Sequence, residues 1–263
     1  MERSLQQMKH FVLVHGCGHG AWCWYKLQPL LESAGHRVTA LDLAAAGENP
    51  AKISDLQTFR DYSKPLLDFM ASIPEGEKVI IVGHSLGGMN ISLAMEEFPE
   101  KIAAGVFLAA FMPDTVHEAS FVKDKFLEAA GDVLLDTKFV TYGSQPEPHT
   151  GILLGPKCLA SKLYQLCPVE DLALAKMLVR EGSFFHEDLA KAEKFTNERY
   201  GSVTRVYILC ANDNVIVKEF QRWMIENSGV TEVKEIDGAD HMAMLSAPQQ
   251  LSDHLLDIAI KCA

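Results

Sequence analysis

Two apolar rhythms alternate along the first 110 residues. Short unbroken runs have the length and β-branched content of buried strands. They are His10-Phe11-Val12-Leu13-Val14, Arg37-Val38-Thr39-Ala40-Leu41-Asp42-Leu43, Val79-Ile80-Ile81-Val82 and the stretch from Ile102 to Ala110. Between them lie segments whose apolar residues recur at helical spacing. One is expected from about Trp22 to Ala34, with Gly35 in the C′ position that favours glycine. A second runs from Thr58 to Ser72, with Tyr62, Leu66, Phe69, Met70 and then Ile73 on one face, and a third from Met89 to Phe98. After residue 186 the alternation resumes. Asp188 to Phe195 reads as a helix, Arg205 to Cys210 as a strand and Glu219 to Glu226 as a helix. Val230 to Ile236 is the last strand, and Pro248 to Cys262 closes the chain as a helix with proline near its first turn. Strands too apolar to leave one face open, alternating with helices, predict an α/β core. The expected core is a mostly parallel six-stranded sheet with helices on both faces.

Residues 113–186 break this rhythm. They contain helical pieces, loops rich in Pro and Gly, and no apolar run fit for a central strand. Phe139-Val140-Thr141-Tyr142 reads as a short strand at most. The expectation is an inserted, mainly helical cap over residues 113–186, with the core formed by 1–112 and 187–263.

Composition narrows the classes of partner. The 263 residues carry 24 basic and 35 acidic side chains, a net charge of −11, with no basic cluster to offset it. Nucleic acid and anionic membrane surfaces are therefore not expected partners. No apolar run approaches membrane-spanning length, and Met1 to Gln7 lacks the apolar region of a signal peptide. Six cysteines without metal-ligand spacing fit reduced thiols and a cytoplasmic address, with no metal expected. No cofactor is expected either, because Gly16-Cys17-Gly18-His19-Gly20 fails the spacing of a dinucleotide fingerprint.

Candidate chemistry begins where the third strand ends. Gly83-His84-Ser85-Leu86-Gly87 sits between a strand and a helix, the context of a nucleophile elbow. A serine hydroxyl needs a base within hydrogen-bond reach, and the base needs an orienting carboxylate. In open parallel sheets such groups stand on loops at the carboxyl ends of strands. Asp213 follows the strand ending at Cys210, and His241 follows the last strand. The order Ser85, Asp213, His241 is the order of an α/β-hydrolase triad. Asp213 also suits a plain turn, and Asp237 and Asp240 compete as orienters through their nearness to His241. An oxyanion would be met by the amide of Leu86 and by an amide of the loop after the first strand, for which Cys17 is the natural donor.

These motifs resemble one family. Lys9 to Gly16, Ala21-Trp22-x-Trp24-Tyr25-Lys26, Gly83 to Asn90, Phe111-Met112-Pro113-Asp114, Glu198 to Val203 and Gly238-Ala239-Asp240-His241-Met242 are similar to plant methylesterases of the α/β-hydrolase type, over about residues 9 to 260. The resemblance implies a helical cap and a serine esterase that releases methanol from methyl esters of the salicylate, jasmonate or alkaloid kind. It implies catalytic roles for Ser85, Asp213 and His241 and oxyanion roles for the Cys17 and Leu86 amides. Pocket positions implied are Gly16, His19, Phe111, Leu134 and Met242. Leu134 stands where a salicylate-binding member carries tryptophan. The partners implied are a small ester and its acid product, and a homodimer is compatible with the kinship. Related hydroxynitrile lyases replace Gly16 with Thr and Met242 with Lys, so both positions here are esterase-like. A hormone receptor and a non-hydrolytic enzyme, such as a lyase or cyclase on the same scaffold, are the alternative readings.

Overall fold

The computed structural model describes residues 8–129, 131–143, 148–230 and 232–262. Five strands follow the expected runs closely. β1 (His10–Val14), β2 (Arg37–Leu41), β3 (Val79–His84), β4 (Ile102–Leu108) and, after the inserted segment, Arg205–Cys210 lie in one sheet with Glu232–Ile236. The inserted segment contributes β5 (Lys138–Tyr142), β6 (His149–Leu153) and β7 (Gly182–Ser183), so the last two core strands are β8 and β9. The six-stranded order is β2-β1-β3-β4-β8-β9, and every neighbouring pair is parallel.

Alternation along the central strands explains why the sheet needs helices on both sides. Val12, Val14, Ile81 and Phe107 pack into one buried cluster, while Phe11, Leu13, Ile80, Val82, Val106 and Leu108 pack into the other. Successive side chains point to opposite faces, so a strand that is apolar throughout must be covered twice. The edge strands are the exception to the expectation of full burial. In β2 every residue keeps some exposure, and β9 alternates Glu232, Val233, Lys234, Glu235 along a half-open edge.

The helices are α1 (Leu27–Ser33), α2 (Phe59–Ser72), α3 (Gly87–Glu97), α4 (Phe121–Ala129), α5 (Pro156–Cys158), α6 (Val169–Leu178), α7 (His186–Leu189), α8 (Lys218–Ser228), α9 (Ala243–Ser246) and α10 (Pro248–Lys261). α5 runs on into a π-helical turn over Leu159–Leu163. Thr58 starts α2 with a capping box: its hydroxyl accepts from Asp61 N at 3.0 Å, and the Asp61 carboxylate accepts from Thr58 N at 3.0 Å.

Two helical expectations are corrected. The segment from Trp22 to Ala34 splits into a 3₁₀ turn at Ala21–Trp24 and α1, with the break at Tyr25 and Lys26. Both of those side chains reach away to the buried Asp171 on α6, at 2.5 Å and 2.6 Å. Asp188 to Phe195 holds only the end of the single-turn α7, whose Asp188 carboxylate accepts from Phe59 N at 2.8 Å. The inserted segment is mainly helical, as expected, and also holds a small sheet. β5, β6 and β7 form a three-stranded antiparallel sheet, of which only the first strand carries a local sequence signal.

Candidate active site

Ser85 occupies the sharp turn between β3 and α3 with φ of +54°, a left-handed conformation that costs a non-glycine residue energy. The turn is held from both sides. Ser85 N donates to Leu108 O at 3.3 Å, and Ser85 O accepts from Gly88 N at 3.1 Å and Phe111 N at 3.0 Å. The glycine after Leu86 lets the helix start close to the end of β1. A Cβ on Gly87 would lie 2.7 Å from the carbonyl oxygens of both Val14 and His15. The same proximity brings the Cys17 loop beside the elbow, and a Cβ on Gly16 would lie 2.8 Å from the Ser85 Cβ. Neither Cys17 N nor Leu86 N donates to a main-chain carbonyl among the described residues.

His241, in the loop after β9, lies with Ser85 on the wall of one cavity. Its Nδ1 pairs with Asp213 Oδ2 at 2.7 Å, and both residues are buried. The other Asp213 oxygen accepts from Val215 N at 2.7 Å and Ile216 N at 3.0 Å, so the carboxylate is fixed in the turn after β8 while it faces the imidazole. The turn reading and the pairing with His241 thus coexist in one side chain. Asp240 is turned elsewhere. Its oxygens accept from Leu166 N at 2.8 Å, Met242 N at 3.0 Å and Ser246 Oγ at 2.7 Å. Asp237 enters through its carbonyl, which accepts from Asn212 Nδ2 at 2.5 Å. His84 braces the base from behind: its Nε2 donates to the His241 carbonyl at 2.8 Å, and the two rings stand 4.7 Å apart.

The cavity is narrow, about 40 Å³, and is lined by Gly16, Cys17, His19, His84, Ser85 and His241 from the core. The opposite wall is Ile152, Leu154, Leu163 and Phe184, all from the inserted segment. Of the pocket positions implied by the sequence, Gly16 and His19 are on this wall. Phe111, Leu134 and Met242 are not among its lining residues. Phe111 packs edge-on to Phe126 at 5.1 Å, Leu134 is half-buried against the same core cluster, and Met242 is fully buried in the cluster on the other face. The four wall residues of the inserted segment escaped the sequence reading. The apolar run at Ile152-Leu153-Leu154 was their one local signal.

Burial keeps the flanking groups neutral. His19 Nδ1 donates to Cys17 O at 2.9 Å, which leaves Nε2 to accept from Tyr164 Oη at 2.7 Å. Desolvation holds its pKa at about 4, below the usual 6.5. Desolvation likewise puts His84 well below the usual value, and it pushes the Cys17 thiol up to about 12. A neutral thiol there is a small apolar wall group and a poor nucleophile. Among the described residues no group of three or more His, Cys, Asp or Glu side chains is arranged to hold a metal ion. Nor is any helix long and apolar enough to cross a membrane.

Residues 11–254 match the model of the alpha/beta hydrolase family. The chain is 61% identical to salicylic acid-binding protein 2 of Nicotiana tabacum over 98% of its length and 99% of that protein's. It is 55% identical to polyneuridine aldehyde esterase of Rauvolfia serpentina, covering 97% of both chains. A crystal structure of polyneuridine aldehyde esterase superposes with a TM-score of 0.95 at 56% identity, covering 96% of this chain and 100% of that one. An alpha-hydroxynitrile lyase of Arabidopsis thaliana is 54% identical over 97% of this chain and 98% of its own. On the matched motifs, the parallel sheet and these full-length relatives, the chain belongs to the alpha/beta hydrolase family, within a group of plant methylesterase and hydroxynitrile lyase relatives.

Proposed function

We propose that the protein is a serine esterase acting on methyl esters of small plant acids, of the salicylate, jasmonate or alkaloid type. The observation that carries this reading is the placement of Ser85, at positive φ, on one cavity wall with His241, whose far nitrogen is bound to the buried Asp213. In the proposed sequence His241 Nε2 takes the Ser85 proton as Oγ attacks the ester carbonyl. Asp213 fixes the tautomer with the proton on Nδ1 and stabilises the imidazolium as it forms. The amides of Cys17 and Leu86 receive the oxyanion. Collapse expels methanol, protonated by His241, and water activated by the same imidazole then releases the acid. Residues 113–186 act as the cap and 1–112 with 187–263 as the core. The cap supplies the aliphatic and aromatic wall that receives the acyl group.

The hydroxynitrile lyase relative gives the second reading. Gly16 weighs against it, since it sets no side-chain hydroxyl beside Ser85 where the related lyases carry Thr. Met242, fully buried away from the cavity, offers no polar group to a leaving cyanide. The test is release of methanol from a panel of methyl esters by the protein and by Ser85→Ala. Release that falls by at least about 10⁴-fold in the variant supports the esterase. Release indifferent to Ser85, or none from any ester with cyanide release from a cyanohydrin instead, overturns it.

A further inference from the structure

The cavity wall hides a cation that the chemistry at Ser85 does not use. Lys123, on α4, is 1% exposed, yet its ammonium lies in the part of the inserted segment that closes the cavity. Nζ donates to the carbonyl of Phe184 and sits 5.9 Å from the centre of that residue's ring. The Phe184 side chain lines the cavity. The preceding carbonyl, of Ser183, accepts from Cys17 Sγ at 3.7 Å, so one short strand joins the buried lysine to the cavity floor.

The ammonium is under-satisfied. It carries three donors, and Phe184 O is its one hydrogen-bond acceptor among the described residues. The carboxylates nearest it each accept from another group, although Asp124 Oδ1 and Glu187 Oε2 stay buried without a hydrogen-bond partner among the described residues. Asp124, its neighbour on α4, accepts from Ser120 Oγ at 2.8 Å. On α7, Glu187 accepts from Thr150 Oγ1 at 3.0 Å and Asp188 from Phe59 N at 2.8 Å. No ion pair joins Lys123 to any of them among the described residues, while Asp124 Oδ1 lies 3.1 Å from His186 Nδ1, and the neutral Cys17 thiol is a further titratable neighbour. A buried ammonium with spare donors is costly unless something completes its shell. Desolvation has already drawn its pKa down to about 7. Lys123 is not itself on the cavity wall: the Phe184 residue that lines the cavity lies between, with Nζ 5.9 Å from its ring centre, so a ligand would meet the ammonium only where that ring gives way.

We propose that Lys123 is a specificity-determining residue, selecting methyl esters whose acyl chain carries an oxygen acceptor, a ketone or a carboxylate, beyond the scissile carbonyl. This rests on the esterase reading above and names its substrate class more closely. The test compares three esters of matched length: methyl hexanoate, its δ-oxo analogue and monomethyl glutarate. The wild type is expected to favour the two oxygenated esters over methyl hexanoate by about tenfold or more in kcat/KM, the scale of one hydrogen bond from a charged donor. In Lys123→Met that ratio should fall towards one. The ratio for monomethyl glutarate should also shrink as pH rises from about 6 to 9. The ammonium is charged below its pKa of about 7 and neutral above it, and the dependence on His241 common to all three esters cancels.

If Lys123→Met does not fold, Lys123→Gln and the wild-type pH ratio decide the matter alone. Calorimetric binding of monomethyl glutarate to Ser85→Ala, with and without Lys123→Met, reads the same contact without turnover and should weaken about tenfold. No advantage for the oxygenated esters, or an advantage that survives removal of Lys123, overturns the proposal. Absence of turnover on every ester overturns the esterase reading instead, and the binding pair then still reports on Lys123.

Discussion

The two sheets of this molecule are held by opposite means. Central strands of the six-stranded sheet are buried on both faces, and the chemistry-bearing residues stand on turns locked by main-chain bonds to neighbouring strands. The three-stranded sheet of the inserted segment is open: four of the five residues of β5 are exposed, Phe139 by 57%. Besides the side chains it buries in the core clusters, that segment is fastened to the core by side-chain hydrogen bonds. The Arg180 guanidinium donates to Gly47 O at 3.0 Å, Asn49 O at 2.6 Å and Ala51 O at 2.8 Å. Asp171 takes the side chains of Tyr25 and Lys26, and Asp240 takes Leu166 N. Geometry that must hold within tenths of an ångström is built on packed backbone, while the wall that faces the acyl group is carried by side chains, such as Phe126, Phe185, Leu163 and Tyr164 packed into the two core clusters, and by a few polar latches. Damage to one region should therefore be separable from damage to the other.

The largest effect should come from the core. Asp213→Asn keeps the size of the side chain and can still accept the Val215 and Ile216 amides through its oxygen. Its NH₂ would then face His241 Nδ1 and force the ring proton onto Nε2, the wrong tautomer for a base. We expect kcat for methyl ester hydrolysis to fall about 10⁴-fold, with KM little changed. A fall of less than tenfold would show that this carboxylate does not orient the base, and the contrast between the regions would lose its catalytic half.

Next in size is a latch. Arg180→Met removes three bonds from a charged donor, and at about 1.5–3 kcal/mol for a single such bond the cost should be at least about 2 kcal/mol. The expected signature is regional: faster amide hydrogen exchange across β5, β6 and α6, unchanged protection in β1, β3 and β4, and a loss in kcat below tenfold. Exchange that rises equally in both sheets would show that the two regions open as one unit.

The same contrast decides what could be read from sequence. The central strands announce themselves, because a strand buried twice is apolar at nearly every position and its signal is local, while the half-open edges β2 and β9 are legible from their β-branched residues and their place in the alternation. The elbow is equally plain, since its glycines answer close contacts that any fold with this turn must make. β6 and β7 carry no such signal. His149-Thr150-Gly151 is polar and small, and β7 is two residues long, so both are strands only by virtue of their pairing. The cavity wall inherits that opacity. Ile152, Leu154, Leu163 and Phe184 are brought to Ser85 by the packing of the inserted segment, and nothing in their spacing along the chain says so. Phe111, Leu134 and Met242, implied by kinship, lie outside the lining of this cavity, Phe111 and Met242 within the buried clusters and Leu134 half-buried against one of them. Asp213 was separable from Asp237 and Asp240 only once their partners were known.

The smallest effect sharpens the boundary itself, at a side-chain hydrogen bond that joins the inserted segment to the loop carrying the Cys17 amide, beside those of Arg180 N to Gly18 O at 2.9 Å and Cys17 Sγ to Ser183 O at 3.7 Å. Tyr164 Oη donates to His19 Nε2, and the two rings stack at 5.9 Å with 12° between their planes. Tyr164→Phe keeps the stack and removes the donor, leaving a buried unpaired lone pair at a cost of about 1–2 kcal/mol. That corresponds to roughly 2–8 °C in Tm for a chain of this size. The cost should depend on pH in a defined sense. The folded pKa of His19 lies at about 4 against 6.5 unfolded, so the unfolded chain binds the extra proton between those values and stability falls as pH drops through them. Without the Tyr164 hydroxyl the lone pair is freer to take a proton, the folded pKa rises, and the acid-side fall becomes shallower. The gap in Tm between wild type and Tyr164→Phe should thus be widest near pH 7 and narrow towards pH 4. Hydrolysis should slow by less than about tenfold, since the hydroxyl touches neither Ser85 nor His241 among its hydrogen-bond partners. A loss approaching that of Asp213→Asn would instead make the bond part of the reaction machinery, and the line between a rigid catalytic core and a latched wall would have to be redrawn to include α5 and its π-helical turn.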